Sequence, residues 1–169
     1  MKHIILGGGC FWCIEPVFQQ LDGVSAVTSG YTGGHVKNPT YEDICTKQSG
    51  HIEVIKVDYD EGKVTLETLL QWFLKSHDPT QPDGQGADRG PQYLSAIFAP
   101  DEATLERVKA YLAEAQKDYP TPFATQVRPE EVFYPAEGYH QNYYNLNKMR
   151  NPYCQVVITP KLDKLGLQS

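Results

Sequence analysis

Apolar and polar positions along this chain recur with two different periods, and the switches between them mark the elements. His3–Leu6 is a short apolar run that reads as a strand, and after three glycines Cys13–Leu21 reads as a short helix. Pro16 lacks an N–H and is tolerated best near a helix start, so the opening turn is expected to be irregular. Val24–Tyr31 and Ile52–Tyr59 (IEVIKVDY) read as strands. In Thr65–His77 the residues Leu66, Leu69, Leu70 and Phe73 recur at the spacing of one helix face, with Thr65 as cap. Tyr93–Ala99 reads as a strand. Asp101 then caps a helix reaching about Asp118, with Leu105, Val108 and Leu112 on one face, and Ala124–Arg128 reads as a short strand. Two long polar loops, Thr32–Gly50 and Asp78–Pro91, interrupt the pattern, and loops of such length usually carry function. A tyrosine-rich tail is partly helical near Glu137–Asn145.

Up to Ala99 the order is strand, helix, strand, strand, helix, strand. This is the split βαβ pattern of ferredoxin-like folds. It predicts an α+β two-layer sandwich, a mixed β-sheet with helices on one face. The 169 residues fit a single catalytic domain, 1–169, with a tail from about 146.

A formal charge of -6 argues against nucleic-acid or anionic-membrane partners. The opening apolar run is too short for a signal peptide and no stretch reaches membrane-spanning length, so a cytoplasmic protein is expected. Four cysteines, Cys10, Cys13, Cys45 and Cys154, are scattered along the chain. In a reducing compartment they are reactive, metal-bound or buried rather than a disulfide framework. Cys45 and Cys154 stand alone and no His pair lies close to them, so no metal site is expected.

The chemistry concentrates in LGGGCFWCIEP, Leu6–Pro16. Glycines between a strand and a helix let the backbone turn sharply and leave Cys10 uncovered. At a helix N-terminus the unpaired N–H groups and the macrodipole favour the thiolate, which is the nucleophilic form. A buried structural cysteine beside core aromatics would use the same residues. In the third strand, alternation puts Glu53 on the face of Ile55, Val57 and Tyr59. A carboxyl there is desolvated and its pKa raised, so that it serves as an acid near neutral pH. The long loops lead into Tyr41 (NPTY) and Tyr93 (GPQY), whose hydroxyls can donate to a substrate oxygen; ordinary half-buried tyrosines would look the same.

Taken in order, GGGCFW, GYTGG, NPTYED, SGHIEV, HDPT, QGADRGPQYLSAIF, YHQNY and NPYC resemble the A-type peptide methionine sulfoxide reductases, from Leu6 to about Cys154. The resemblance implies that Cys10 is the nucleophile, Glu53 the proton donor, and Tyr41 and Tyr93 the hydroxyl partners. It further implies that Phe11 and Trp12 wall the pocket for the sulfoxide methyl group and that Asp88 helps to hold substrate. The implied reaction reduces methionine S-sulfoxide, protein-bound or free. Cys10 becomes a sulfenic acid, a second thiol condenses with it to a disulfide, and an external dithiol such as thioredoxin restores it. No metal or organic cofactor is implied, and a monomer is expected.

Many members carry glycine after GCFW and two cysteines in a glycine-rich tail, whereas this chain has Cys13 and a single tail cysteine. Cys154, in its NPYC setting on a mobile tail, is the favoured resolving thiol. Cys13, which forms C-x-x-C with Cys10, is the second choice, and Cys45 is read as structural. Two rival readings come from other classes. One is a thiol–disulfide oxidoreductase using Cys10 and Cys13, with no role for Glu53. The other is a non-catalytic module that binds a methyl-bearing ligand.

Overall fold

The computed structural model describes residues 2–85 and 88–168. Strand β1 (Lys2–Gly7) leads into helix α1 (Phe11–Gln19), and β2 (Val24–Thr32) and β3 (Ile52–Tyr59) follow, separated by a short helix α2 (Tyr41–Cys45). Helix α3 (Leu66–Ser76), the small strands β4 (Gly84–Gln85) and β5 (Asp88–Arg89), strand β6 (Ala96–Ala99) and helix α4 (Glu102–Ala115) come next. Strands β7 (Gln126–Pro129) and β8 (Tyr134–Pro135) and helices α5 (Tyr143–Asn147) and α6 (Thr159–Lys164) complete the order.

The main sheet has strand order β7-β6-β1-β3-β2-β8. Its centre, β6-β1-β3-β2, is antiparallel throughout, the arrangement that a split βαβ order requires. β7 joins β6 in parallel, which makes the sheet mixed. Pleating sorts the side chains. Ile4, Leu6, Ile55, Val57, Ile97 and Ala99 face the main core under the helices, while Ile5, Ile52, Val54, Ala96 and Phe98 form a smaller cluster on the opposite face. Helix α3 buries Leu66, Leu69, Leu70 and Phe73, and Thr65 caps it by accepting from the Thr68 N–H.

Several expectations need correction. Helix α1 begins at Phe11, and Pro16 lies inside it. The polar loop after β2 contains α2, started by a capping box in which Thr40 and Asp43 satisfy each other's backbone N–H. Tyr93 belongs to a 3-10 turn, Pro91–Tyr93, because Pro91 at its first position favours helical φ. The loop over Asp78–Pro91 contains the β4–β5 pair, with its Gly86 and Ala87 outside the described residues. The tail does not stand free as a mobile arm. It packs across α1, with Tyr144, Cys154, Ile158 and Leu162 buried in the main core.

Candidate active site

The three glycines end β1 and thread the chain beneath other elements. Gly9 adopts φ +93, and a Cβ on Gly8 would sit 3.1 Å from the His77 ring. Cys10 follows as the N-cap of α1 with extended backbone (φ -62, ψ 130). Its sulfur accepts from the Trp12 N–H, which favours the thiolate as a helix start should. That influence is outweighed. Burial, the hydrogen bond to Cys13 and the nearby Glu53 carboxyl raise the Cys10 pKa well above that of a free thiol. The protonated form of Cys10 is thus favoured over the thiolate, against the pull of the helix start.

Glu53 lies on β3 beside it, only 2 % exposed on the helix-facing side of the sheet. Burial lifts its pKa to about 8, although the Phe11 N–H donates to its Oε1 at 3.2 Å. At neutral pH this carboxyl holds its proton. Burial above all raises the Tyr41 and Tyr93 phenols, with the Cys45 contact adding to it at Tyr41 and the charges of Glu53 and Cys10 adding to it at both. The two long loops thus bring both hydroxyls to the Cys10–Glu53 pair. Cys45 is exposed at the end of α2 and hydrogen-bonds Tyr41.

Phe11 and Trp12 fare differently. Phe11 is 0 % exposed, packed against the rings of Tyr31 and His140. Trp12 is half-buried; its ring stacks on Tyr143 at 3.8 Å, and its Nε1–H donates to His140 Nδ1 at 3.0 Å. Asp88 accepts from the Tyr153 hydroxyl at 2.6 Å, and that oxygen lies 3.0 Å from Cys13 Sγ. Cys154 is 0 % exposed in a wide helical turn, Cys154–Ile158, and close enough to Cys13 to feel its charge. A cavity of about 620 Å³ opens beside Cys10 and Cys13, lined also by His77, Asp88, Tyr153 and Lys161.

The composition of the strap after β8 had carried no message in the sequence beyond the YHQNY motif. Glu137 accepts from the Tyr31 hydroxyl at 3.1 Å and from the Tyr41 N–H at 2.9 Å, and so seats the start of α2. Gln141 pairs its amide with the Ser29 N–H and C=O at 2.9 and 2.8 Å, as a neighbouring strand would. Buried Glu15 accepts from Ser29 Oγ and from the N–H groups of Asn142 and Tyr143. These residues hold His140 and Tyr143 against Trp12. His51, in the SGHIEV motif, accepts from the Gly34 N–H and bonds the Val36 carbonyl, pinning the loop that carries Tyr41.

A sulfur nucleophile set against a protonated carboxyl suits two-electron reduction of a substrate whose oxygen departs with a proton. On this α+β sheet, with a second thiol one helical turn away, it defines a thiol-dependent reductase. The chain belongs to the peptide methionine sulfoxide reductase family, whose model matches residues 2–168. It is 48% identical over 167 residues to the peptide methionine sulfoxide reductase MsrA of Chromobacterium violaceum, covering 98% of this chain and 94% of that protein. The reduced form of Mxr1 from Saccharomyces cerevisiae superposes with a TM-score of 0.85 at 32% identity, covering 90% of this chain and 88% of that one. Mxr1 in complex with Trx2 gives a TM-score of 0.61 at 28% identity, covering 84% of each chain.

Proposed function

We propose that this chain reduces methionine S-sulfoxide, in proteins and free, to methionine, with Cys10 as nucleophile and Glu53 as the proton carrier. The observation that carries this reading is the buried Glu53 carboxyl, which remains protonated to about pH 8 beside the Cys10 thiol. The sulfoxide oxygen takes the Glu53 proton as Cys10 sulfur attacks the sulfoxide sulfur. The thiol proton passes to the carboxylate left behind. The S–O bond breaks, methionine leaves, and Cys10 carries the hydroxyl as a sulfenic acid, so that atoms and protons balance. Tyr41 and Tyr93 donate to the same oxygen.

Trp12 lines the methyl pocket, and Phe11, fully covered, backs it from behind. Asp88 fixes Tyr153 at the edge of the site and holds the polar end of the substrate. A second thiol, Cys154 or Cys13, closes a disulfide, and thioredoxin reopens it; the family likeness to Mxr1, solved with Trx2, supports that partner. Thiols supply all the electrons, so the chemistry calls for no metal or organic cofactor. Four free cysteines fit a reducing compartment, and we infer a monomeric, single-domain cytoplasmic enzyme over residues 1–169 with neither nucleic acid nor membrane as partner.

The test mixes the protein with methionine sulfoxide and dithiothreitol and follows methionine. Wild type should turn over and Cys10→Ser should release none. Retained turnover in Cys10→Ser would sink the mechanism. Exchange with protein disulfides but no methionine would favour a plain thiol–disulfide oxidoreductase built on Cys10 and Cys13.

A further inference from the structure

The thiol that first meets the sulfenic acid is a matter of placement. Cys13 is one turn along α1 from Cys10, its N–H donating to the Cys10 carbonyl at 2.9 Å and its sulfur hydrogen-bonded to the Cys10 sulfur. Residues three apart on a helix have Cβ atoms about 5–6 Å apart. A disulfide needs about 3.8 Å. Cys10, as an N-cap with extended backbone, can close that gap without unwinding α1. Cys154 has no such route. It is fully covered in the main core, and the segment beyond it is tied down by the buried side chains of Ile158 and Leu162 and by a 2.7 Å bond between Tyr144 Oη and Thr159 Oγ1.

Cys13 also has partners suited to a resolving thiolate. Tyr153 Oη lies 3.0 Å from its sulfur and donates onward to Asp88 at 2.6 Å. Lys161 on α6 shares the cavity beside it. From these contacts we propose that Cys13 is the thiol that condenses first with the Cys10 sulfenic acid, and that Lys161 is a positioning residue which holds it ready as the thiolate. The inference rests on the proposed reduction at Cys10. Cys13 sulfur attacks Cys10 sulfur, the S–S bond forms, and the Cys10 S–O bond breaks. The hydroxyl leaves as water with a proton from Glu53. Cys13 is oxidised and Cys10 reduced, and no further reactant enters.

The groups facing the Cys13 sulfur are Cys10 at the start of α1, Glu53 on β3, Asp88 on β5, Tyr153 and Cys154 in the tail, and Lys161 on α6. The hydrogen bonds from Cys10 and Tyr153 and the charge of Lys161 pull Cys13 down to about 7 against burial and the Asp88 carboxylate. Lys75 and Lys164 also line the cavity, and Lys161 is the cation whose charge acts on the Cys13 sulfur. Removing its charge should move the disulfide-forming step to higher pH.

The experiment is a single turnover of the reduced full chain with methionine sulfoxide. It is quenched at successive times with a thiol-blocking reagent, and the peptides are mapped by mass spectrometry while methionine is counted. One equivalent of methionine and a Cys10–Cys13 link as the first disulfide are expected. Cys13→Ser should still release one equivalent but accumulate a dimedone-reactive Cys10, with thioredoxin-supported turnover lost. In Lys161→Met the pH midpoint of disulfide formation should rise, while the methionine burst keeps its own pH profile. A first disulfide joining Cys10 to Cys154, or thioredoxin-supported turnover in Cys13→Ser, overturns the assignment and leaves sulfoxide reduction standing. An unmoved midpoint in Lys161→Met removes Lys161 from the step. No methionine from wild type overturns the parent reading along with this one.

Discussion

Replacing Glu53 by glutamine isolates one proton. The amide keeps the shape of the carboxyl and an oxygen to accept from the Phe11 N–H, which now bonds Oε1 at 3.2 Å. A carboxyl titrating at about 8 is roughly nine-tenths protonated at pH 7, so wild type is then almost fully competent. General acid catalysis contributes typically 10²–10⁴-fold. The loss therefore raises the barrier by about 3 to 5 kcal/mol. The assay is the rate of the methionine burst in a single turnover, between pH 6 and 9. Wild type should hold its rate to about pH 8 and then fall, while Glu53→Gln should be slower by two to four orders of magnitude and lack that fall. A burst within threefold of wild type, or the same alkaline decline in the variant, would refute the role.

The same substitution makes an independent statement about stability. The folded Glu53 titrates at about 8, against 4.5 for an ordinary glutamate side chain. Its folded pKa is raised, so the folded state binds the extra proton over that window. Its contribution to stability is complete below about pH 4.5 and is lost as pH rises through 8. The loss approaches 5 kcal/mol as an order of magnitude, since the group is almost wholly buried. Denaturant midpoints at pH 5 and 8.5 should differ more for wild type than for Glu53→Gln. Equal differences would mean that the charged carboxylate finds compensation in the folded site.

Trp12→Ala should remove the stacked wall beside Tyr143 and raise KM for a small sulfoxide at least tenfold; unchanged kinetics would place the methyl pocket elsewhere. Burial holds His77 down to about 4 with its ring bonded to the Phe73 carbonyl and Ser95 Oγ, so stability should be lost as pH falls from about 6.5 towards 4. His77→Gln should flatten that acid limb in urea titrations at pH 7 and 4.5. Phe73→Ala, which empties a fully buried site, should cost about 3 to 5 kcal/mol in denaturant unfolding and leave the pH profile of the burst alone.

The central sheet was legible because its strands are amphipathic or buried at a fixed period. Ile52–Tyr59 has the same ends in sequence and structure, and alternation alone put Glu53 on the buried face. What stayed illegible depended on short or distant partners. Helix α2 is five residues long, too short for a periodic signal, although its Thr40–Asp43 capping box was present to be read. Tyr93 looked like strand because it heads the largely apolar run Leu94–Ala99, but Pro91 sets a 3-10 turn ahead of that run. The tail held a usable signal: Cys154, Ile158 and Leu162 recur every fourth residue, a helical stripe that now lies in the core.

The protonation of Cys10 was illegible for a deeper reason, and it changes how the site should be understood. The sequence exposes a local influence, the helix start, whose N–H group does reach the sulfur. Burial and the neighbouring acid come from β3 and the loops, and they win. Cys10, Glu53, Tyr41 and Tyr93 are all pushed towards their protonated forms, whereas Cys13 is drawn down. A standing thiolate at Cys10 would meet every oxidant that entered, since susceptibility follows thiolate character and exposure. In the proposed mechanism the thiol gives its proton to Glu53 only as Glu53 gives its own to an arriving oxygen, so ionisation of Cys10 is tied to protonation of the substrate. Where the protons rest thus sets which partner Cys10 needs, an oxygen that can take the proton of Glu53 as the sulfur attacks.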